Sequence, residues 1–271
     1  MLTVENVSKA FAGLRAVDNC SLEIQPRSIT GIIGPNGAGK STLFNIIAGF
    51  LKPTSGRVLL GDLDVTGMAA HQLFHQGLVR TFQIPREFGR MTVLENLLLV
   101  PPRQMGENLL MSWVRWQRVM AQERDVRRKA EEVLAWLNLS HMRDELAQSL
   151  SGGQKKLMEL GRALMVEPQV ILLDEPGAGV NRTLLQELTA IIQRLNAEQG
   201  CTVCLIDHDL DLVGKLCDRV IVMAQGAVLA EGTMDTVRQH PEVQAAYLGN
   251  LHGSKSVIQK MDVAPVEDSL H

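Results

Sequence analysis

Eight residues near the N-terminus, Gly34 to Ser41, constrain the fold of this chain more than any other segment. They read Gly-Pro-Asn-Gly-Ala-Gly-Lys-Ser, follow an apolar run from Ile29 to Ile33, and precede a helical-looking segment from Thr42 to Phe50. Glycine lets successive backbone N–H groups point inward, and the start of the following helix carries partial positive charge. A glycine-rich loop between a strand and a helix therefore predicts a phosphate-binding site.

The residue types of this loop predict a nucleoside triphosphate bound with Mg²⁺. Lys40 is expected at the outer phosphates and Ser41 at the metal ion. A glycine-rich turn with a chance Lys-Ser pair is the alternative, and the strand and helix on either side argue against it. The predicted nucleotide-binding residues of the loop are Gly34, Pro35, Asn36, Gly37, Ala38, Gly39, Lys40, Ser41 and Thr42.

A second glycine motif, Leu150-Ser151-Gly152-Gly153-Gln154, opens a segment in which Leu157, Leu160 and Leu164 recur on one helical face. An ordinary N-cap followed by a helix is the alternative for so short a motif. Because the motif follows a phosphate loop, the chain resembles the ATP-binding-cassette (ABC) ATPases, whose signature is this pentapeptide. The resemblance implies ATP as the nucleotide, held by one subunit and covered by the signature of a second ATP-binding subunit. The residues involved are Ser151, Gly152, Gly153 and Gln154.

The resemblance also implies the fold class. It is an α/β P-loop NTPase of the ABC ATPase type, with a RecA-like parallel core, an antiparallel β layer and an inserted helical subdomain. Segments Leu2–Val7 and Val17–Ile24 are the predicted strands of the β layer, and Arg57–Leu60 is a further predicted strand. The insert includes a long helical segment from Asn108 to Leu137. The predicted division is a core from 1–84 and 166–240, an insert from 85–165, and a C-terminal helix and mobile tail from 241–271.

Two adjacent carboxylates, Asp174 and Glu175, follow the apolar run Val170 to Leu173. Such a run is typical of a buried parallel strand, and open parallel sheets bind ligands at the carboxyl edge of their strands. Adjacent acids more often belong to a solvated turn, but the buried strand and the upstream phosphate loop favour a catalytic pair. The resemblance implies that Asp174 belongs to the Mg²⁺ shell and that Glu175 orients or deprotonates the attacking water.

Gln83 and His208 are assigned from the resemblance. Gln83 matches the glutamine that bridges Mg²⁺ and the helical insert, although in most proteins it would be an ordinary surface residue. His208 follows the buried-strand run Val203 to Asp207 and matches the histidine that contacts the γ-phosphate; the other histidines are interpreted as structural. The predicted catalytic residues are Glu175, His208, Gln83 and Lys40, and the predicted metal ligands are Ser41, Gln83 and Asp174.

Two weaker matches concern the adenine and the subunit interface. Phe11 lies where family members place an aromatic ring that stacks on adenine, with Val17 expected beside it; a plain core phenylalanine is the alternative. The segment Pro176 to Asn181 matches the loop that crosses the subunit interface. Its last residue is usually Asp in the family, and Asn181 keeps hydrogen bonding but removes the charge. The effect on coupling between subunits is left open.

Composition restricts the functional classes. The formal net charge of −3 offers no broad basic surface for nucleic acid. The basic cluster at 124–129 contains Asp125 and is interpreted as the solvated face of a helix. No run approaches the roughly 18 to 20 apolar residues needed to span a bilayer, and no signal-peptide pattern opens the chain. We therefore expect a soluble protein on the cytoplasmic side of the membrane.

Two further groups of side chains are interpreted as structural. Cys201 and Cys204 are three residues apart on a predicted strand, so their thiols face opposite sides and do not share a metal ion. Trp113 and Trp116 share one helix face, where packing within the insert is expected and a permease-facing patch is the alternative.

Finer resemblance narrows the transporter class. The runs Arg80–Gln83, Met91–Asn96, His240–Val243 and Ala246–Gly249 look like those of ATP-binding subunits of bacterial branched-chain amino-acid-type importers. This likeness implies an ATPase at the cytoplasmic face of the inner membrane that powers import through integral membrane permease subunits. A periplasmic or extracellular substrate-binding protein completes such a system. Near Glu87, Phe88 and Met91, relatives form the groove that receives a permease helix, although Phe88 could instead pack within the insert.

The chain departs from the family's sequence pattern in two places, so other functions remain as alternatives. Arg182 stands where relatives usually carry Pro, and the segment from Ile84 to Phe88 differs from their commonest pattern. The alternatives are the ATPase of a urea or amide importer, of a lipopolysaccharide exporter, or of a non-transport system acting on ribosomes or DNA. A nucleotide-binding scaffold without catalysis is a further class, and the presence of Asp174 and Glu175 argues against it.

Overall fold

The structure, a computed structural model, describes residues 1–81, 87–102 and 116–248. Gln83, Trp113 and the predicted tail from Gly253 lie outside the described residues. In chain order, the strands are β1 (Leu2–Phe11), β2 (Leu14–Ile24), β3 (Ile29–Ile33), β4 (Ser55–Leu60), β5 (Leu63–Asp64), β6 (Leu78–Arg80), β7 (Val170–Asp174), β8 (Thr202–Ile206), β9 (Arg219–Ala224) and β10 (Ala227–Gly232). The helices are α1 (Lys40–Ile47), α2 (Ala70–His75), α3 (Val93–Leu98), α4 (Trp116–Trp136), α5 (Gly152–Leu164), α6 (Arg182–Gln199), α7 (Leu210–Leu216), α8 (Met234–Arg238) and α9 (Pro241–Leu248).

A six-stranded sheet with the order β10-β9-β3-β8-β7-β6 forms the centre of the fold. Its neighbouring strands are parallel except for β10, which pairs antiparallel with β9. The strands β3 and β8 are buried along their whole length, as expected for a parallel sheet covered on both faces. The phosphate loop therefore leaves the sheet from a central strand.

Alternate residues of the central strands enter two hydrophobic clusters. Ile32 and Cys204 belong to a cluster that contains residues of β1, β2 and α1. Their neighbours Ile33 and Leu205 belong to a second cluster, which contains residues of α5, α6 and α7. Because successive strand side chains point to opposite faces, the sheet is packed between the β layer with α1 on one side and helices on the other.

The antiparallel layer has the strand order β2-β1-β4-β5. Its predicted strands are present but longer than expected, since β1 continues to Phe11 and β2 begins at Leu14. The register of the pair shifts after Val4 and again after Val7, and Asn6 has a φ of 50°. Such bulges interrupt the strict alternation from which strand ends are predicted.

The helices α3, α4 and α5 occur between β6 and β7 in the sequence, although these two strands are parallel neighbours in the sheet. Leu97, Leu134 and Leu160, one from each helix, join the cluster that contains Ile33 of the sheet. The predicted helical pattern is confirmed in the described part of this region. Its division into a separate insert remains a prediction, because helices and sheet share one hydrophobic cluster.

The structural interpretation of the cysteines is confirmed, and that of Trp116 is wrong. Cys201 and Cys204 are buried free thiols that belong to different clusters on opposite faces of the sheet. Trp116 is 61% exposed, and the first buried residue of the described part of α4 is Val119. In the described ranges, no helix combines the length and apolar character that crossing a bilayer requires.

Candidate nucleotide-binding and catalytic site

The phosphate loop runs from the end of β3 to the first turn of α1 and requires glycine for two reasons. A Cβ atom on Gly34 would lie 2.1 Å from the carbonyl oxygen of Met223, and one on Gly39 would lie 2.3 Å from that of Ala16. Gly39 also has a φ of 95°, in the left-handed region that favours glycine. As the N-cap of α1 it offers no side-chain cap, so the first N–H groups of this helix can donate to an anion.

Lys40 is held inside this loop by backbone carbonyls. Its Nζ donates to the oxygens of Gly34 at 2.7 Å and Pro35 at 3.0 Å, and the residue is 6% exposed. An ammonium group has three N–H donors, so one remains for a phosphate oxygen. Burial lowers the pKa of Lys40, and the carboxylate of Glu175 acts in the opposite direction.

Asp174 ends β7 at the carboxyl edge of the sheet, where Arg80 from the neighbouring strand pairs with it. Arg80 Nη2 lies 2.7 Å from Asp174 Oδ2, with the two side chains 9% and 11% exposed. Nη1 of the same guanidinium donates to Asn45 Oδ1 on α1 at 2.6 Å. Arg80 therefore fixes Asp174 relative to the phosphate-loop helix. No local sequence pattern predicts this role, since the two residues are 94 positions apart.

Glu175 and His208 meet at the same edge of the sheet. Glu175 has a φ of 48°, an uncommon conformation for a residue other than glycine, and its N–H donates to the oxygen of Ile206 at 2.8 Å. His208, which follows β8, has its Nε2 2.9 Å from Glu175 Oε1. The structure thus brings together the two carboxylates and the histidine that the sequence predicted as site residues. A carboxylate so placed can orient a water molecule, and the imidazole can donate to a phosphoryl oxygen.

The predicted metal ligands within the described part of the chain suit Mg²⁺. Ser41 presents an exposed side chain in the first turn of α1, and Asp174 has one carboxylate oxygen held by Arg80 and the other left for a metal-bound water. Among the described residues, no three His, Cys, Asp or Glu side chains are arranged so that together they could hold a metal ion. Mg²⁺ in nucleotide sites takes one or two protein oxygens and completes its shell with phosphate and water, which these residues permit.

The signature segment forms a capping box at the start of α5. The N–H of Gln154 donates to Ser151 Oγ at 3.3 Å, and the N–H of Ser151 donates to Gln154 Oε1 at 2.9 Å. Ser151 and Gly152 are exposed. Among the described residues, no hydrogen bond or ion pair joins this segment to the phosphate loop. The chain therefore presents two separate helix starts, each with the chemistry to bind phosphate.

Comparison with known proteins identifies the family. Residues 17–178 match the family described as ABC transporter. The chain belongs to this family. A further match, over residues 227–252, carries the description branched-chain amino acid ATP-binding cassette transporter. A high-affinity branched-chain amino acid transport ATP-binding protein of Pseudomonas aeruginosa is 38% identical over 249 residues, which cover 92% of this chain and 98% of the relative.

Solved structures of other ABC cassettes confirm the predicted fold class. The ADP conformation of an ATP-binding cassette of an ABC transporter is 39% identical, with a TM-score of 0.78 over 92% of this chain and 98% of the other. A dimeric post-hydrolysis cassette bound to ADP and Pi is 26% identical, with a TM-score of 0.71 over 86% and 99% of the two chains.

The two residues predicted at adenine in this ABC cassette differ in exposure. Phe11 ends β1, is 44% exposed, and has Lys9 Nζ 5.3 Å from its ring centroid. Val17 is fully buried in the cluster beneath β1 and β2, so its side chain offers no surface to a nucleotide. Phe11 without Val17 remains the proposed adenine contact. Val17 was expected beside Phe11, but its side chain packs in the hydrophobic core.

Two other residues of the ABC cassette form hydrogen bonds that the sequence did not predict. Asn181 is the N-cap of α6, where its Oδ1 accepts from the N–H of Leu184 at 2.9 Å. Tyr247, the single tyrosine of the chain, hydrogen-bonds with the backbone of Gly34, while burial raises its pKa to about 12. The C-terminal helix α9 thereby contacts the start of the phosphate loop.

Beside the site, a groove of about 520 Å³ lies between the sheet and α5, with Phe50, Phe74, Phe88 and Arg162 in its lining. Phe88 is 52% exposed, and the guanidinium carbon of Arg162 lies 5.4 Å from its ring centroid. Glu87 differs, because its carboxylate pairs with Lys155 on α5 at 2.6 Å and its side chain is 16% exposed. Glu87 therefore has a partner within the chain, and the docking role expected of Glu87 and Phe88 stays a prediction.

Proposed function

We propose that this chain is the ATP-hydrolysing subunit of an importer for branched-chain or related amino acids. The observation that carries the substrate class is the match of residues 227–252 to the branched-chain amino acid transporter description. The name of the Pseudomonas aeruginosa relative, aligned over 92% of this chain, supports the same class. In this proposal the subunit lies at the cytoplasmic face of the membrane against permease subunits, which receive substrate from a periplasmic or extracellular binding protein.

The working unit is a pair of such subunits, identical or paralogous, that enclose two ATP molecules. Support comes from the exposed start of α5, where Ser151 and Gly152 offer phosphate-binding groups away from the chain's own phosphate loop. The dimeric relative described above provides a precedent for paired cassettes. Each ATP would be held by the phosphate loop of one subunit and covered by Ser151, Gly152 and Gly153 of the other.

Hydrolysis in this pair follows from the placement of five side chains. Lys40 and the N–H groups of α1 hold the outer phosphates, and Glu175 orients the attacking water. As the water oxygen bonds to the γ-phosphorus and the bond to ADP breaks, His208 donates a hydrogen bond to the transferring group. Mg²⁺ bound near Ser41 and Asp174 would offset charge on the β- and γ-phosphate oxygens. The products are ADP and inorganic phosphate, and their release lets the subunits separate.

The groove lined by Phe50, Phe74 and Phe88 is the proposed docking site for a cytoplasmic helix of the permease. Phe50 and Phe88 are 47% and 52% exposed, an unusual state for large aromatic side chains on a water-facing surface. Arg80 lines the same groove and also holds Asp174. A helix seated there would contact a residue that touches the catalytic site.

Purification from native membranes tests this function directly. A tagged form of the chain, extracted with a mild detergent, should retain integral membrane subunits identifiable by mass spectrometry. After reconstitution into liposomes with the binding protein, the complex should import radiolabelled leucine with ATP inside. Recovery of the chain with ribosomes or DNA and without membrane subunits would contradict the proposal.

Phe88→Ala tests the docking groove within the same assay. We expect the isolated variant to hydrolyse ATP at the parental rate, because no hydrogen bond, ion pair or ring contact joins Phe88 to Lys40, Glu175 or His208 in the described part of the chain. Permease recovery and leucine uptake should fall about tenfold or more. Leu63→Ala is the matched control, since Leu63 is an exposed apolar residue on β5 outside the groove lining. Equal uptake by both variants would exclude the groove from coupling.

A further inference from the structure

Lys156 joins the signature helix to the loop that contains Glu175. Its Nζ donates to the carbonyl oxygens of Glu175 and Pro176, each at 3.2 Å, and to that of Ala178. An ammonium group has three donors, and here each one has a backbone acceptor. Lys156 lies on α5, five positions after Ser151. One side chain thus connects the helix that begins with the signature to three residues of the loop after β7.

The same loop is held from a second direction. The N–H of Gly177 donates to Asp207 Oδ2 at 3.0 Å, and Asp207 directly precedes His208. Lys156 from α5 and Asp207 from the end of β8 therefore bracket the loop between them. If α5 moved relative to the sheet, Lys156 would displace the carbonyl group of Glu175, while Asp207 would hold the N–H group of Gly177 in place.

Lys156 is partly buried beside carboxylates, so the loss of these hydrogen bonds would cost free energy. Burial lowers the pKa of Lys156, while the carboxylates of Asp207, Glu159 and Glu175 oppose that effect. A partly buried cation with three satisfied donors costs free energy when its acceptors are removed or displaced. Glu175 also adopts a left-handed backbone conformation, which persists only when its surroundings hold it there. Lys156 is one of the groups that hold the backbone of Glu175, together with the carbonyl oxygen of Ile206.

We propose that Lys156 is a positioning residue that couples the two ATP sites of the paired subunits. This inference rests on the proposed function, in which Ser151 and Gly153 cover ATP held by the partner. Closure on that ATP would move α5 as a rigid body. Lys156 would transmit the movement to the backbone of Glu175 in its own subunit. Each site would then respond to the nucleotide bound in the other.

A comparison of two adjacent lysines tests the coupling. Lys156→Met removes the ammonium group and keeps an unbranched side chain, and Lys156→Arg keeps the charge. Lys155→Met is the matched control, because Lys155 lies on the same helix but pairs with Glu87 and not with the loop. ATP hydrolysis is measured as a function of ATP concentration at saturating Mg²⁺, and thermal unfolding shows that each variant is folded.

We expect the parental protein and Lys155→Met to show a Hill coefficient above 1, toward the limit of two for two sites. Lys156→Met should lower that coefficient to about 1 and reduce kcat roughly tenfold, as expected when a catalytic group is misplaced. Lys156→Arg should restore part of the cooperativity. Nucleotide binding by the monomer, measured with a fluorescent ATP analogue, should stay unchanged in all variants, which a general loss of structure would not allow.

A measurement of dimer formation distinguishes an error in the coupling role of Lys156 from an error in the proposed function. In a Glu175→Gln background, Lys156→Met should still form an ATP-dependent dimer on gel filtration, because the residues that cover ATP are intact. A Hill coefficient in Lys156→Met equal to the parental value would overturn the coupling role while leaving the paired ATPase in place. A parental protein that neither dimerises with ATP nor shows cooperativity would overturn both.

Discussion

Arg80 illustrates how much of the site depends on individual residues outside the motifs. Its guanidinium connects Asp174 of β7 with Asn45 of α1 and is stacked near the rings of Phe44 and Phe50. Its Nε is buried without a hydrogen-bond partner among the described residues, so the group tolerates an unsatisfied donor to keep this geometry. Arg80 therefore orients Asp174, the carboxylate that we propose for the Mg²⁺ site.

Arg80→Met should therefore slow hydrolysis more than it weakens nucleotide binding. A hydrogen bond between charged groups contributes about 1.5 to 3 kcal/mol, which corresponds to roughly 10- to 100-fold in kcat if Asp174 is misplaced. Steady-state kinetics at several Mg²⁺ concentrations measure this effect, with a fluorescent ATP analogue reporting binding. Arg57→Met is the control, because Arg57 forms an exposed pair with Glu5 at 2.7 Å. Parental kcat in Arg80→Met would contradict the orienting role.

The sequence identified the residues whose chemistry is tied to a local pattern. Lys40, Asp174, Glu175 and His208 each follow a strand or glycine pattern that can be read locally, and the structure places them near one sheet edge. Arg80, Lys156 and Tyr247 were not predicted as site residues, because their partners are distant in the sequence and are chosen by packing. Val17 was assigned from the family resemblance as a neighbour of Phe11, and the resemblance did not indicate that its side chain is buried.

Among the elements, the phosphate loop is fixed most tightly by its glycines. Gly37 and Gly39 both have positive φ, but a Cβ on Gly37 would meet no atom within 4 Å, whereas one on Gly39 would clash with the Ala16 carbonyl. Alanine substitutions at the two positions therefore distinguish the free-energy cost of backbone strain from that of a steric clash.

Gly37→Ala should lower the melting temperature by about 2 to 4 °C, which corresponds to roughly 1 kcal/mol of left-handed strain in a chain of this size. Gly39→Ala should lower it at least twice as far, because the carbonyl of Ala16 must also move. Differential scanning calorimetry of the two purified variants makes the comparison. Equal shifts would show that the loop accommodates a side chain at position 39.

The sequence predicted the strands and helices more accurately than the residues at which they begin and end. Strands β3, β7 and β8 were found from short apolar runs, since both of their faces are buried. The ends of β1 and β2 were missed because bulges near Asn6 and Asn19 shift the register, and Phe11 proved to lie within a strand. Helix α6 begins at Arg182 after the side-chain cap of Asn181, a residue for which the family resemblance had predicted only a place in the loop at the subunit interface.

The whole molecule presents two separate phosphate-binding helix starts. The phosphate loop with its carboxylates lies at the sheet edge, and the signature forms the other helix start on α5. Lys156 and the shared hydrophobic cluster link these two regions within one subunit. This arrangement supports the proposal that a second subunit completes each ATP site.

Glu175→Gln tests this account most directly. The amide keeps the shape of the side chain but cannot accept a proton from water, so ATP should bind normally while turnover falls about 100-fold or more. With ATP and Mg²⁺ the variant should elute as a dimer on gel filtration, and without nucleotide as a monomer. Glu5→Gln, on the surface of the β layer, should retain parental turnover. Parental hydrolysis by Glu175→Gln, together with elution as a monomer in ATP, would contradict both the assigned base and the paired site.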